Sequence, residues 1–189
     1  MASLTDIAAI MRTSIRKFVA TQPHTPPVSL DSFFDRQTLR IVVAPFHHGL
    51  EASLILSTDP ALILINTNIG PFAQRFALAH ELIHYWHHQK YLSTCTQCSH
   101  DYQNLLETEA NAGAAELLLP YDWFMDTARI ILRQPLLSSR DFDNFLASSA
   151  AKHWAGRARV TVPVLGYHLR DLGWAPPVPP SALSREPVG

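Results

Sequence analysis

Residues 75–88, RFALAHELIHYWHH, constrain the fold more than any other stretch of the chain. Phe76, Leu82 and Ile83 anchor a helix destined for a core. The same run carries four histidines and a glutamate. Inside a core, such groups must pair with backbone or carboxylates, or bind an ion. His80 and His84 are four apart, so a helix presents both imidazoles to one point. A tetrahedral zinc ion takes two ligands from one helix in this way. Glu81 falls at the edge of that face, placed to take a proton from water rather than to ligate the ion. This is the His-Glu-x-x-His logic of a zinc hydrolase.

A catalytic zinc needs a third protein ligand and an open fourth position. The stretch LLETEANAGAAELLL, closed by Pro120, reads as a second strong helix and offers Glu107 and Glu109. Two residues apart, they point about 200° apart on a helix and cannot both face the ion. Glu107 shares its stripe with Asn111, Ala114, Ala115 and Leu118, a small apolar face suited to packing on the first helix. Glu109 shares its side with Gly113 and Glu116, a more polar one, and reads as a solvated charge. Glu107 is the expected ligand and Glu109 the alternative. Asn111, one turn on from Glu107, is placed to hydrogen-bond a ligand histidine from behind.

The rest of the chain supplies a frame. Residues 4–20 read as an amphipathic helix, and 21–29 as a proline-broken link. Residues 38–46, 51–58 and 61–67 are strand-like and separated by tight breaks. Helices are expected at 71–89, at 121–134, across 138–154 with Ser138 or Ser139 as cap, and near Thr161 and Pro163. The fold class is therefore α+β, a small antiparallel sheet of about three strands followed by a helical active-site region. A single domain is expected over 1–175, with the sheet at 38–67, active-site helices at 71–120 and a helical subdomain at 121–175. The proline-rich residues 176–189 read as a disordered tail. A net charge of −1 gives no support to broad nucleic-acid or anionic-membrane binding. With no signal-peptide pattern, no membrane-length apolar run and only two cysteines, a soluble cytoplasmic protein is expected.

RFALAHELIHYWHH followed by ETEANAGAAELLLP resembles the ImmA/IrrE family of metallopeptidases. The resemblance covers Asn66-Thr67, Arg75-Phe76, Ala79 to His84 and Glu107 to Pro120. VTVPVLGYHLRDLGW is similar to the family's closing helix, with His168-Leu169 where Arg-Leu is usual. Two positions depart from the pattern. Gly113 stands where Phe is usual, which removes a packing anchor and a filler of the substrate pocket. Ile83 stands where Gly is common. The resemblance implies a gluzincin-like (zincin-like) zinc peptidase with one catalytic Zn²⁺, for which Mn²⁺ is the alternative, held by His80, His84 and Glu107, with Glu81 catalytic. It also implies a bacterial cytoplasmic enzyme that cleaves helix-turn-helix repressors, relieving repression of stress-response or mobile-element genes. No direct nucleic-acid or membrane partner is expected.

Other residues carry weaker signals. His88 stays on the ligand face, where it would position substrate, stabilise the oxyanion or simply cap the helix. His87 reads as exposed. Tyr167 and His168 join His88 as candidate oxyanion donors. Cys95 and Cys98 with His100 read as reduced thiols in a loop, with half a zinc site or a disulfide as alternatives. The strand ALILINT would offer an edge for an extended peptide. Two other functions fit the sequence less well. One is a metal-containing module that sequesters a repressor or antitoxin without cutting it. The other is a DNA-binding unit using Arg157, Arg159 and Arg170, which lacks a larger basic patch.

Overall fold

The computed structural model describes residues 4–19, 25–46, 49–89, 95–97 and 105–177. In chain order the described elements are α1 (Leu4–Val19), β1 (Leu39–Ala44), β2 (Ala52–Ile55), β3 (Ala61–Asn66), α2 (Pro71–Ile83), β4 (Cys95–Gln97), α3 (Leu105–Leu118), α4 (Tyr121–Ile131), α5 (Ser139–Ala147), α6 (Ser149–Ala158) and α7 (Val162–Asp171). The fold is α+β, as expected. Cys98, His100 and the tail from residue 178 lie outside the described residues, so the thiol, half-site and disulfide readings are not addressed. Among the described residues no helix is long and apolar enough to cross a membrane.

The three expected strands form, but the sheet is mixed rather than antiparallel, and β4 adds a fourth strand. The strand order is β1-β3-β2-β4. β1 runs parallel to β3, with Ile41 opposite Ile63, whereas β2 runs antiparallel to β3, with Leu54 opposite Ile63. The link after β1 therefore carries the chain across β3 instead of folding back as a hairpin. Asn66, which is buried, holds that link in place. Its amide donates to the carbonyls of Phe46 and Leu50, at 3.3 and 2.8 Å, and its oxygen accepts from the Asn68 N–H at 2.9 Å. The topology also corrects the expectation for ALILINT. β3 is paired on both sides, so it has no free edge for a peptide.

α2 lies against β2 and β3. Leu54, Ile63, Ala79, Leu82 and Ile83 have no exposed surface and belong to one core cluster. Burial of side chains the size of Leu82 and Ile83 contributes about 1.5–3 kcal/mol each. α3 packs across α2, and α1 packs on α3. Glu116, expected on a polar side, is in fact buried and ties these helices together. Arg16 of α1 grips its carboxylate in a fork of 2.9 and 3.1 Å, and the Tyr121 N–H donates to it at 3.1 Å.

The two departures from the family pattern face each other. A Cβ on Gly113 would lie 3.0 Å from both Cδ1 and Cγ1 of Ile83, and 3.2 Å from Cγ2. Ile83 thus occupies the volume that a side chain at 113 would need, and the α2–α3 contact stays filled. The expected loss of a packing anchor is corrected by its neighbour.

The helix expected across 138–154 is two. Ser148 has extended backbone, at φ −71° and ψ 159°, which ends α5 and starts α6. Its hydroxyl accepts from the Ala151 N–H, so the break is itself a cap. Ser138 caps α5 by accepting from Asp141 N–H. α7 begins at the expected Thr161, whose hydroxyl accepts from Val164 N–H, with Pro163 in the first turn. Trp154, Phe124 and Phe142 fill the space among these helices.

Candidate metal centre

α2 begins after Gly70, with Pro71 in its first turn, and the Arg75 guanidinium donates to the Val28 carbonyl beside it. Beyond Ile83 the helix widens into one π turn over His84–His88. At 3.6 residues per turn, each four-residue step overshoots a full turn by about 40°. A wider turn offsets that drift. His80, His84 and His88 accordingly form a column, with ring centroids 4.8 and 4.9 Å apart and ring planes inclined by 60° and 63°. Such turns concentrate at functional sites.

Glu107 from α3 meets this column. His80 Nε2 lies 3.0 Å from one Glu107 oxygen, His84 Nε2 lies 3.4 Å from the other, and the two Nε2 atoms are 3.0 Å apart. All three side chains are buried. Burial alone would raise the Glu107 pKa, but hydrogen bonds and charge from His80 and His84 outweigh it and hold it at about 2. The carboxylate is therefore ionised at neutral pH.

This donor set fits zinc. Ligand atoms about 2.0–2.1 Å from a tetrahedral ion are about 3.3 Å from one another; the two Nε2 atoms are 3.0 Å apart, and one ligand atom from each of the three residues lies within 4.8 Å of the others. Hydrogen bonding agrees. His80 Nδ1 lies 3.0 Å from Asn111 Oδ1, an acceptor, so Nδ1 carries the proton. Nε2 is then the ring atom turned toward Glu107, and as the lone-pair nitrogen of a neutral ring it would serve an ion between them.

The other sequence candidates separate clearly. Glu81, beside His80, is fully buried. Glu109 does not face the trio and is not a solvated charge either: its carboxylate lies 2.9 Å from His88 Nε2. Burial raises its pKa. His88 Nδ1 lies 2.9 Å from His84 Nδ1. Burial, then the neighbouring histidines, lower the His88 pKa to about 4. Both His88 ring nitrogens are thus engaged inside the column. His87 is exposed, as expected.

A cleft of about 560 Å³ reaches Asn111, the residue behind the His80 ring. Ala73 and Phe76 of α2, Ala112 and Ala115 of α3, and Val164 and Tyr167 of α7 line it. Gly113 is not among its walls. Tyr167 is half-exposed on the cleft, but His168 is not on it. His168 is fully buried, with its ring 4.6 Å from that of Phe124. Adjacent helix residues point about 100° apart, and here Tyr167 turns to the cleft while His168 turns to the core.

The Peptidase_M78 family profile, described as the IrrE N-terminal-like domain, matches residues 34–130. The chain belongs to this family. The match is to metallopeptidases, and the buried His80–His84–Glu107 group within it can hold a metal ion. Among curated proteins none matches the chain. The family match ends at residue 130, before α5, α6 and α7. One wall of the cleft is thus built from α7, outside the family-matched stretch. The sequence pointed to this wall through Tyr167 on the closing helix. Sequence reasoning missed the Glu109–His88 contact, for which the four-residue spacing of three histidines opposite two carboxylates was the available signal.

Proposed function

We propose that this chain is a zinc-dependent endopeptidase that cleaves a specific cytoplasmic protein, a helix-turn-helix transcriptional repressor, and thereby relieves repression. The observation that carries the reading is the convergence of the buried His80, His84 and Glu107, whose donor atoms all lie within 4.8 Å of one another. Family membership supports peptide hydrolysis. The repressor as substrate rests on the resemblance of the two motifs to ImmA/IrrE proteins.

His80, His84 and Glu107 would hold the zinc, which supplies Lewis acidity at the scissile carbonyl. Glu81 takes the proton of the attacking water and delivers it to the departing amine. Asn111 keeps the His80 proton on Nδ1, leaving Nε2 as the donor atom. The apolar walls of the cleft exclude water around the substrate segment. Tyr167 is the candidate to donate a hydrogen bond to the developing oxyanion.

The test is to measure zinc content and then incubate the protein with any helix-turn-helix repressor found encoded beside its gene. Wild type should hold one zinc and cut the repressor, and Glu81→Gln should hold zinc and cut nothing. Repressor loss unchanged in Glu81→Gln refutes proteolysis by this site. Zinc retained with no cleavage by wild type favours a module that sequesters the repressor.

A further inference from the structure

His84 has two ring nitrogens, and only one arrangement of its proton leaves Nε2 able to bind a metal. Nδ1 must carry the hydrogen, and a group behind the ring must accept it. His80 has Asn111 for that purpose. Behind His84 stands another histidine, itself able to donate or accept, so the column needs something to set its direction.

We infer that Glu109 and His88 form a hydrogen-bonded chain that fixes the tautomer of His84 and aims its Nε2 at the metal. Glu109 Oε2 lies 2.9 Å from His88 Nε2, and a carboxylate accepts, so His88 Nε2 carries a proton. His88 Nδ1 is then the acceptor for the contact at 2.9 Å, and His84 Nδ1–H donates to it. The opposite direction would put a proton on His84 Nε2 and block the metal. Both histidines are buried, so no competing water sets the tautomer. The π turn has a purpose here: it brings His88 back beneath His84. Glu107 and Glu109, two residues apart on α3, therefore serve one centre from opposite sides, the first at the ion and the second behind His84.

The inference rests on the proposed zinc site, and the experiment separates the two. Zinc affinity is measured by chelator competition for wild type, His88→Phe, His88→Asn and Glu109→Ala. His88→Phe keeps a ring but removes the acceptor, and affinity should fall about 10–100-fold. His88→Asn places an oxygen one bond past Cγ, where Nδ1 was, and should recover most of that loss. Glu109→Ala should weaken affinity about tenfold. In zinc-loaded wild type, ¹⁵N NMR should show a coupling across the hydrogen bond between the Nδ1 atoms of His84 and His88. Packing alone would produce no such coupling, and this readout decides the matter if a variant does not fold. Wild-type affinity in His88→Phe, or no coupling in wild type, overturns the chain while leaving the zinc site intact. No zinc binding by wild type overturns both.

Discussion

Gly113→Ala sets two effects of opposite sign against each other, and the structure decides between them. Alanine in a helix interior is favoured over glycine by about 0.8–1.0 kcal/mol. The added methyl, however, would meet three atoms of Ile83 at 3.0–3.2 Å. Ile83 is β-branched, held near one χ1 rotamer in a helix, and has no exposed surface. Rotation trades one γ-carbon contact for the other and relieves nothing. Overpacking of this kind costs about 1–3 kcal/mol. The net expectation is destabilisation by about 1 kcal/mol. Ile83→Ala alone should cost about 2–5 kcal/mol by leaving a cavity. In that background all three obstructing atoms are gone, so Gly113→Ala should stabilise by about 1 kcal/mol. The coupling in the double-mutant cycle is then about 2 kcal/mol, measured by urea unfolding with fixed metal content. Equal effects of Gly113→Ala in both backgrounds would refute the account of Ile83 as the occupant of that space.

Three further outcomes follow from single contacts. Burial, then the charge of Arg12, lower the His168 pKa from 6.5 to about 3. The unfolded chain therefore binds this proton first, and stability is lost as pH falls from 6.5 toward 3. Between pH 6 and 4 wild type should lose about 2–3 kcal/mol more than His168→Phe, by urea unfolding with chelator present, and parallel pH profiles would contradict this. Arg16→Met removes the fork on buried Glu116, whose pKa burial already raises despite Arg16. The variant should lose about 3 kcal/mol at pH 7, and less as acid protonates Glu116; a loss independent of pH would show that packing, not the ion pair, is at stake. Tyr167→Phe should lower kcat on the cleaved substrate by about 100-fold with KM little changed. An effect confined to KM would make Tyr167 a binding residue only.

The site was more legible than the sheet, for physical reasons. His80, His84 and Glu107 meet because four-residue spacing on one helix and the apolar phase of another are local properties, readable without the fold. Strand positions were equally local. Strand direction was not, since the parallel pairing of β1 with β3 depends on Asn66 holding a loop twenty residues away in sequence. The break at Ser148 hid inside a stretch that otherwise reads as continuous helix. Glu109 looked like a surface charge because ideal helical phase turns it away from the ion. It does turn away, but toward His88, which the π turn brings back into the column. Ile83 and Gly113 each looked like an isolated departure, and only their contact shows that they compensate.

The central claim is that His80, His84 and Glu107 jointly hold a metal ion. Crystals of protein purified without chelator, measured on both sides of the zinc absorption edge, test it most directly. The account predicts one anomalous peak about 2.0–2.2 Å from His80 Nε2, His84 Nε2 and a Glu107 oxygen, and its loss in Glu107→Ala. An ion held elsewhere, or a zinc-soaked crystal with no peak at this trio, would contradict it.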